Sequence, residues 1–141
     1  MSEGLEIRTR VLVDGEGRGP LLVLEAPVSF WGGVHPGSGR IVDPRHPQHG
    51  VALHGQVVLV PATVGSSSSS SVLLELFRGG RAPAALLLGT IDPVLPIGAV
   101  VAEELGYATC PVLAVAPGDL VGVPSGTEVL VRPGGRIRIG T

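Results

Sequence analysis

The chain has 141 residues, of which 44% are hydrophobic and only 3% aromatic, with a formal net charge of −2 and a mean hydropathy of +0.44. That is the size of one domain built on an aliphatic core. All ten basic residues are Arg and no basic face stands out, which argues against a nucleic-acid partner. No apolar run approaches the roughly 20 residues that cross a bilayer, and the opening "MSEGLEIRTR" has no apolar signal region, so a cytoplasmic protein is expected.

In chain order, Glu6 to Val13 and Leu21 to Leu24 read as strands joined by the Gly-rich turn "DGEGRGP". The segment "PVSFWGGVHPGSGRIVDPRHPQHG" follows, and its Gly, Pro and His content forbids a long helix. Gln56 to Val60 is an apolar strand, and six serines, Ser66 to Ser71, come shortly after it. Beyond them "VLLELF" places Leu73, Leu76 and Phe77 at helical spacing, and Gly79-Gly80 stops the helix. "APAALLLG" reads as a buried strand, and "CPVLAVA" as another. Between them "GAVVAEELG" reads as a short helix, with Val100, Val101 and Leu105 inward and Glu103 and Glu104 outward. Thr127 to Val131 and Arg136 to Ile139 form a closing hairpin around "RPGG". The middle is therefore β–α–β–α–β with antiparallel-looking strands on either side. The expectation is a single α/β domain over residues 1–141, with a mixed, barrel-like sheet and βαβ crossovers.

A run of six serines usually means a flexible linker. Here strand and helix patterns lie within a few residues on either side, so the run occupies a βα loop at the carboxyl end of a strand. Ligands of open α/β sheets bind at that end. The last serines fall at a helix start, where Ser is a preferred N-cap and where free N–H groups and the helix dipole favour an anion. Capping by one serine with the rest filling a tight loop accounts for the spacing equally well.

Other residues offer weaker chemistry. "PVSFWGGVHP" holds the only Trp, with Ser29 as a hydroxyl contact and Gly32-Gly33 allowing close backbone approach. Phe30 and Trp31 either face a partner or plug one end of a small barrel. His46 and His49 have metal-like spacing near Asp43, but two prolines break "DPRHPQHG", and loop geometry is the plainer explanation. Asp43-Pro44 and Asp92-Pro93 are each a turn start. Cys110 is the one cysteine; it cannot form an internal disulfide, and a lone cysteine holds no metal cluster. No complete catalytic set is present, which points to half of an active site or to a binding module.

Three segments are more specific: "SFWGGVHPGSGRIVDPRHPQHG", "GQVVLVPATVGSSSSSSVLLELFRGGRAPAALLL" and "DPVLPIGAVVAEELG". In order and spacing they resemble the small subunit, or swivel domain, of the aconitase X family. That family includes mevalonate 5-phosphate dehydratase small subunits and bacterial cis-3-hydroxy-L-proline dehydratases. The resemblance covers Pro27 to Val115. One departure is His35, where the family pattern reads Gly-Gly-Val-Asp-Pro. The resemblance implies a swivelling β/β/α fold and a hydro-lyase that dehydrates a hydroxy acid. It also implies a larger partner subunit carrying an iron–sulfur cluster, whose iron acts as Lewis acid on the substrate. By position it makes Ser66 the proton acceptor, with Gly65, Ser67, Ser68 and Ser29 at the substrate. This chain then binds no metal itself, and cis-3-hydroxy-L-proline is slightly preferred as substrate. A non-catalytic anion-binding or regulatory module on the same fold is the alternative, and a phosphohistidine-type carrier a more distant one.

Overall fold

Strands whose every side chain is apolar need a hydrophobic layer on both faces. Val57–Val60 and Ala85–Leu88 are such strands, and the fold supplies both layers. A computed structural model of the protein describes residues 5–116 and 118–140. Its elements are β1 (Leu5–Arg8), β2 (Arg10–Val13), β3 (Gly17–Val23), α1 (Phe30–Gly33), β4 (Val57–Val60), α2 (Ser69–Arg78), β5 (Ala85–Leu88), α3 (Ile97–Glu104), β6 (Val112–Ala114), β7 (Glu128–Arg132) and β8 (Arg136–Ile139). The strand order is β1-β8-β7-β3-β4-β5-β6-β2. β3, β4, β5 and β6 are parallel; β7, β8 and β1 continue antiparallel on one side, and β2 pairs antiparallel with β6 on the other.

β1 and β2 are two halves of one stretch, interrupted only at Thr9, whose N–H and hydroxyl both donate to the Gly135 carbonyl. The two ends of the strand order therefore meet, and the mixed sheet wraps into a nearly closed barrel. Leu21, Val57, Leu87, Leu113, Val131 and Ile137 fill its interior. Their neighbours Leu22, Val58, Leu86 and Val112 point outward, onto Leu73 and Leu76 of α2 and Ala99 and Ala102 of α3. Both helices belong to right-sized βαβ units, β4–α2–β5 and β5–α3–β6, as the sequence pattern predicts. β3 starts earlier than expected, inside "DGEGRGP", where Gly17 to Pro20 pair with β7.

Two expectations fail. Val100, Val101 and Leu105 are not inward: all three are exposed, together with Ile97, while Gly98, Ala99 and Ala102 are buried. The cause is the close approach of the helices. A Cβ on Gly98 would collide with the Ser70 carbonyl oxygen, so only the small-residue stripe of α3 fits against α2. The large side chains are thereby turned outward.

The second concerns charge. In the antiparallel wall Arg8 lies opposite Arg136, and Arg136 opposite Arg132. Arg138, opposite Glu6, and Arg18, which pairs with Glu128 at 4.0 Å, share the same outer face. A row of three facing arginines, Arg8, Arg136 and Arg132, thus exists despite the net charge of −2, with Glu6 and Glu128 beside it. Strand register creates it, and composition conceals it.

Candidate active site at the serine loop

Three of the four parallel strands, β3, β4 and β5, each release a loop at their carboxyl ends, and the three loops are tied together. The chain after β3 runs on beside the chain after β4: Val28 and Thr63 form a parallel bridge, with the Val28 N–H donating to Ala62 O (3.3 Å) and the Val64 N–H donating to Val28 O (3.1 Å). The loop after β5 joins through Thr63, whose hydroxyl donates to Asp92 Oδ2 at 2.7 Å. A Cβ on Gly89 would lie 2.6 Å from the Pro61 carbonyl oxygen, so this contact admits no larger residue.

The serines leave this platform between β4 and α2. Ser66 is half-buried, Ser67 exposed and Ser68 half-buried, while Ser69 to Ser71 are already helical. Ser68 stands at the N-cap of α2 but makes no side-chain cap bond, so the expected capping role is not filled there. Instead Ser66 Oγ accepts the Ser68 N–H at 3.2 Å, and Ser66 O accepts the Ser69 N–H at 3.1 Å. The hydroxyl of the first serine thus accepts one backbone N–H at the positive end of a ten-residue helix. Gly65 faces open space, leaving that side of the loop clear. Ser69 differs from its neighbours: it is 3% exposed and its Oγ has no hydrogen-bond partner.

Ser29 follows Val28 and so emerges beside the serine loop, its Oγ donating to Trp31 O at 2.9 Å. A groove of about 460 Å³ is lined by Ser29, Trp31, Gly33, Asp43 and Arg45. Phe30 and Trp31 divide between the two readings: Phe30 is buried in the core and Trp31 is 57% exposed. The platform therefore brings Ser66 and Ser29 to one end of the barrel. Its cations are already paired or distant: Arg45, in the groove, pairs with Asp43 at 3.3 Å, and Arg78 pairs with Glu75 at the far end of α2. Hydrogen bonds from the Arg45 backbone and guanidinium hold the Asp43 carboxyl below the usual carboxylate range.

"DPRHPQHG" serves as a brace for this end. His46 is buried; its Nε2 lies 3.1 Å from Ala26 O, which can only accept, so Nε2 carries the proton and Nδ1 accepts the Gln48 N–H at 3.0 Å. The Gln48 amide continues the brace, accepting from Glu25 N–H (2.8 Å) and donating to Val23 O (2.9 Å). His35 is exposed, and its Nδ1 accepts the N–H groups of Gly37 (3.0 Å) and Ser38 (3.1 Å). That is the turn-forming role a short carboxylate performs, so the His serves here as an Asp would. Sequence reasoning gave Asp92 only as a turn start and missed Thr63 and Gln48; the Asp-Pro step was the available signal.

Cys110 is buried, and burial pushes its thiol up to about 12. Among the described residues no group of three or more His, Cys, Asp or Glu side chains could hold a metal ion. These residues do not fit a cluster. No helix among them is long and apolar enough to cross a membrane. An apolar cavity of about 520 Å³ opens at the barrel mouth beside Leu59, Pro61 and Val121, but no serine lines it and it presents hydrocarbon rather than reactive groups.

Comparison with known proteins bears on the fold and the family. The family described as "Aconitase X swivel domain" matches residues 6–139. A cis-3-hydroxy-L-proline dehydratase of Pseudomonas aeruginosa is 50% identical over 103 residues, covering 73% of this chain but 18% of its own length. A phosphomevalonate dehydratase small subunit of Methanothermobacter thermautotrophicus is 42% identical over 98 residues, 70% of this chain and 75% of its own. The crystal structure of Thermococcus kodakaraensis aconitase X in its holo-form superposes with a TM-score of 0.85 at 26% identity, over 98% of this chain and all of the matched one. The chain thus spans about a fifth of one curated relative and three quarters of another. The protein belongs to the aconitase X swivel-domain family.

Proposed function

We propose that this chain is the swivel subunit of an aconitase X-type dehydratase, a cytoplasmic hydro-lyase whose active site is shared with a larger subunit. Ser66 is its base. In the reaction a C–H proton passes to Ser66 Oγ, the C–H electron pair becomes the new C=C bond, and hydroxide leaves the neighbouring carbon. Gly65, Ser67, Ser68 and Ser29 face the substrate. The iron–sulfur cluster belongs, on this reading, to the larger subunit.

One observation carries the assignment. Ser66 Oγ already accepts a backbone N–H at the N-terminus of α2. A serine hydroxyl normally holds its proton too firmly to serve as a base. N–H donation and the positive end of a helix both favour its ionised form. The substrate is a hydroxy acid, and cis-3-hydroxy-L-proline is preferred over mevalonate 5-phosphate. Support for that preference is the 50% identity to the hydroxyproline enzyme against 42% to the phosphomevalonate one, over segments of similar length.

The test is turnover of the reconstituted two-subunit enzyme on both substrates. Ser66→Ala lowers turnover by about 10² to 10⁴, as loss of a general base does, and leaves subunit association unchanged. Ser71→Ala, an exposed serine of the same run, is the control. Near-normal turnover in Ser66→Ala removes the assignment.

A further inference from the structure

Asp92 is a buried carboxylate outside the serine run, and the chemistry proposed above does not use it. It is 9% exposed, and all its hydrogen-bond partners are neutral donors. Oδ1 accepts the N–H groups of Val94 (2.8 Å) and Leu95 (3.2 Å), which shapes the turn leading into α3. That is the ordinary work of an Asp-Pro turn, and one oxygen suffices for it. Oδ2 is used differently: it reaches across to another loop and accepts the Thr63 hydroxyl at 2.7 Å. A buried charge is costly unless hydrogen bonds surround it, and here three donors meet it.

Thr63 is where the loops cross. Its backbone bridges Val28, the residue before Ser29, and its side chain reaches Asp92. Ser66 lies three residues further along the same loop. The hydroxyl–carboxylate bond therefore sets the position of the serine loop against the start of α3. The backbone bridge sets it against Ser29. The close approach of Gly89 to Pro61 keeps the loops in this arrangement.

We propose that Thr63 and Asp92 are a positioning pair, which holds the Ser66 loop in the geometry that proton transfer requires. The proposal rests on the reading of Ser66 as base. Neither residue touches the substrate; both act through the loop that carries the base. Small misplacements of a reacting group cost rate steeply, about 10²-fold for roughly 1 Å. Asp92 is 9% exposed and Thr63 half-buried, so subunit association is expected to be unaffected by changes to the pair.

The experiment measures kcat, KM and subunit association of the reconstituted enzyme carrying Thr63→Val, Thr63→Ser, Asp92→Asn or Ser66→Ala. Thr63→Val keeps the shape and removes the hydroxyl. It lowers kcat by roughly tenfold or more, with KM and association within about twofold, and Thr63→Ser restores kcat. Asp92→Asn keeps an acceptor for the turn but loses the carboxylate that Thr63 donates to, and it repeats the kcat loss. The proposal is overturned if Thr63→Val retains kcat within about twofold. It is equally overturned if the serine variant fails to rescue, or if the loss appears in KM or association instead. Full turnover in Ser66→Ala overturns the underlying reading. Loss in Ser66→Ala with none in Thr63→Val overturns the positioning pair alone.

Discussion

Gly98 of α3 stands so close to the Ser70 carbonyl of α2 that any side-chain carbon there meets backbone. Ser70 belongs to the first turn after the serine loop, so this helix contact also fixes the floor of the candidate site. Gly98→Ala should destabilise the chain by about 1 to 3 kcal/mol, the usual cost of overpacking. Val100→Ser, on the outer face of the same helix, should stay within about 0.5 kcal/mol in the isolated chain. Denaturant unfolding of both variants checks this; equal effects would mean the helix contact is loose.

Ser69→Ala should leave stability unchanged or raise it by up to about 1 kcal/mol. The hydroxyl is buried without a partner, and removing such a group relieves its desolvation cost. Thermal unfolding measures it, and a clear loss of stability would show that the hydroxyl is satisfied in solution.

His35→Asp should preserve stability, because a carboxylate oxygen can accept the Gly37 and Ser38 N–H groups that Nδ1 accepts now. His35→Ala, which leaves the turn without its acceptor, should cost about 1 kcal/mol. The comparison is again a denaturant titration, with equal cost in both variants counting against the turn role.

Much of this molecule was legible from pattern alone. The βαβαβ middle follows from period: Leu73, Leu76 and Phe77 recur at helical spacing, and all-apolar strands flank them. The loop placement of Ser66 followed from that order. Orientation was harder to read. Val100, Val101 and Leu105 look like a core face until the Gly98 contact makes bulk impossible there. Thr63 and Asp92 lie 29 residues apart, and only the alignment of β4 with β5 brings them together.

The arginine row was hidden for the same reason, and it has a salt signature. Like charges directly opposite on neighbouring strands are destabilising, and exposed charges are screened within about 10 Å at 0.1 M salt. Raising sodium chloride should therefore raise the melting temperature of the isolated chain. Arg136→Gln, which removes the central member of the Arg8–Arg136–Arg132 row, should flatten that dependence. An unchanged salt slope in the variant would show that the row carries no strain.

Acid should act through Asp92. Burial pushes its carboxyl up, but the hydrogen bonds from Thr63 and from the Val94 and Leu95 N–H groups outweigh this and leave it below the usual carboxylate range. A carboxyl lower in the folded than in the unfolded chain adds stability above its unfolded titration point. That contribution is lost as pH falls through the folded value. Wild type should therefore exceed Asp92→Asn in melting temperature near neutral pH, and the two should converge below roughly pH 4. A gap that persists in strong acid would mean the variant is destabilised for another reason.

Closure of the barrel by β1 and β2 bears on the order in which the chain can fold. Leu5 pairs with Ile139, so the first stave meets one of the last. Contacts so distant along the chain close late and slowly. The βαβ units β4–α2–β5 and β5–α3–β6 can pack beforehand, but β8 and β6 keep bare edges until the first stave docks. Bare edges invite pairing with other chains. A nascent chain on the ribosome carries β1 unpaired until β8 has been made, although β2 can dock on β6 sooner, and a chain stripped of β1 and β2 would keep both edges open permanently and tend to aggregate.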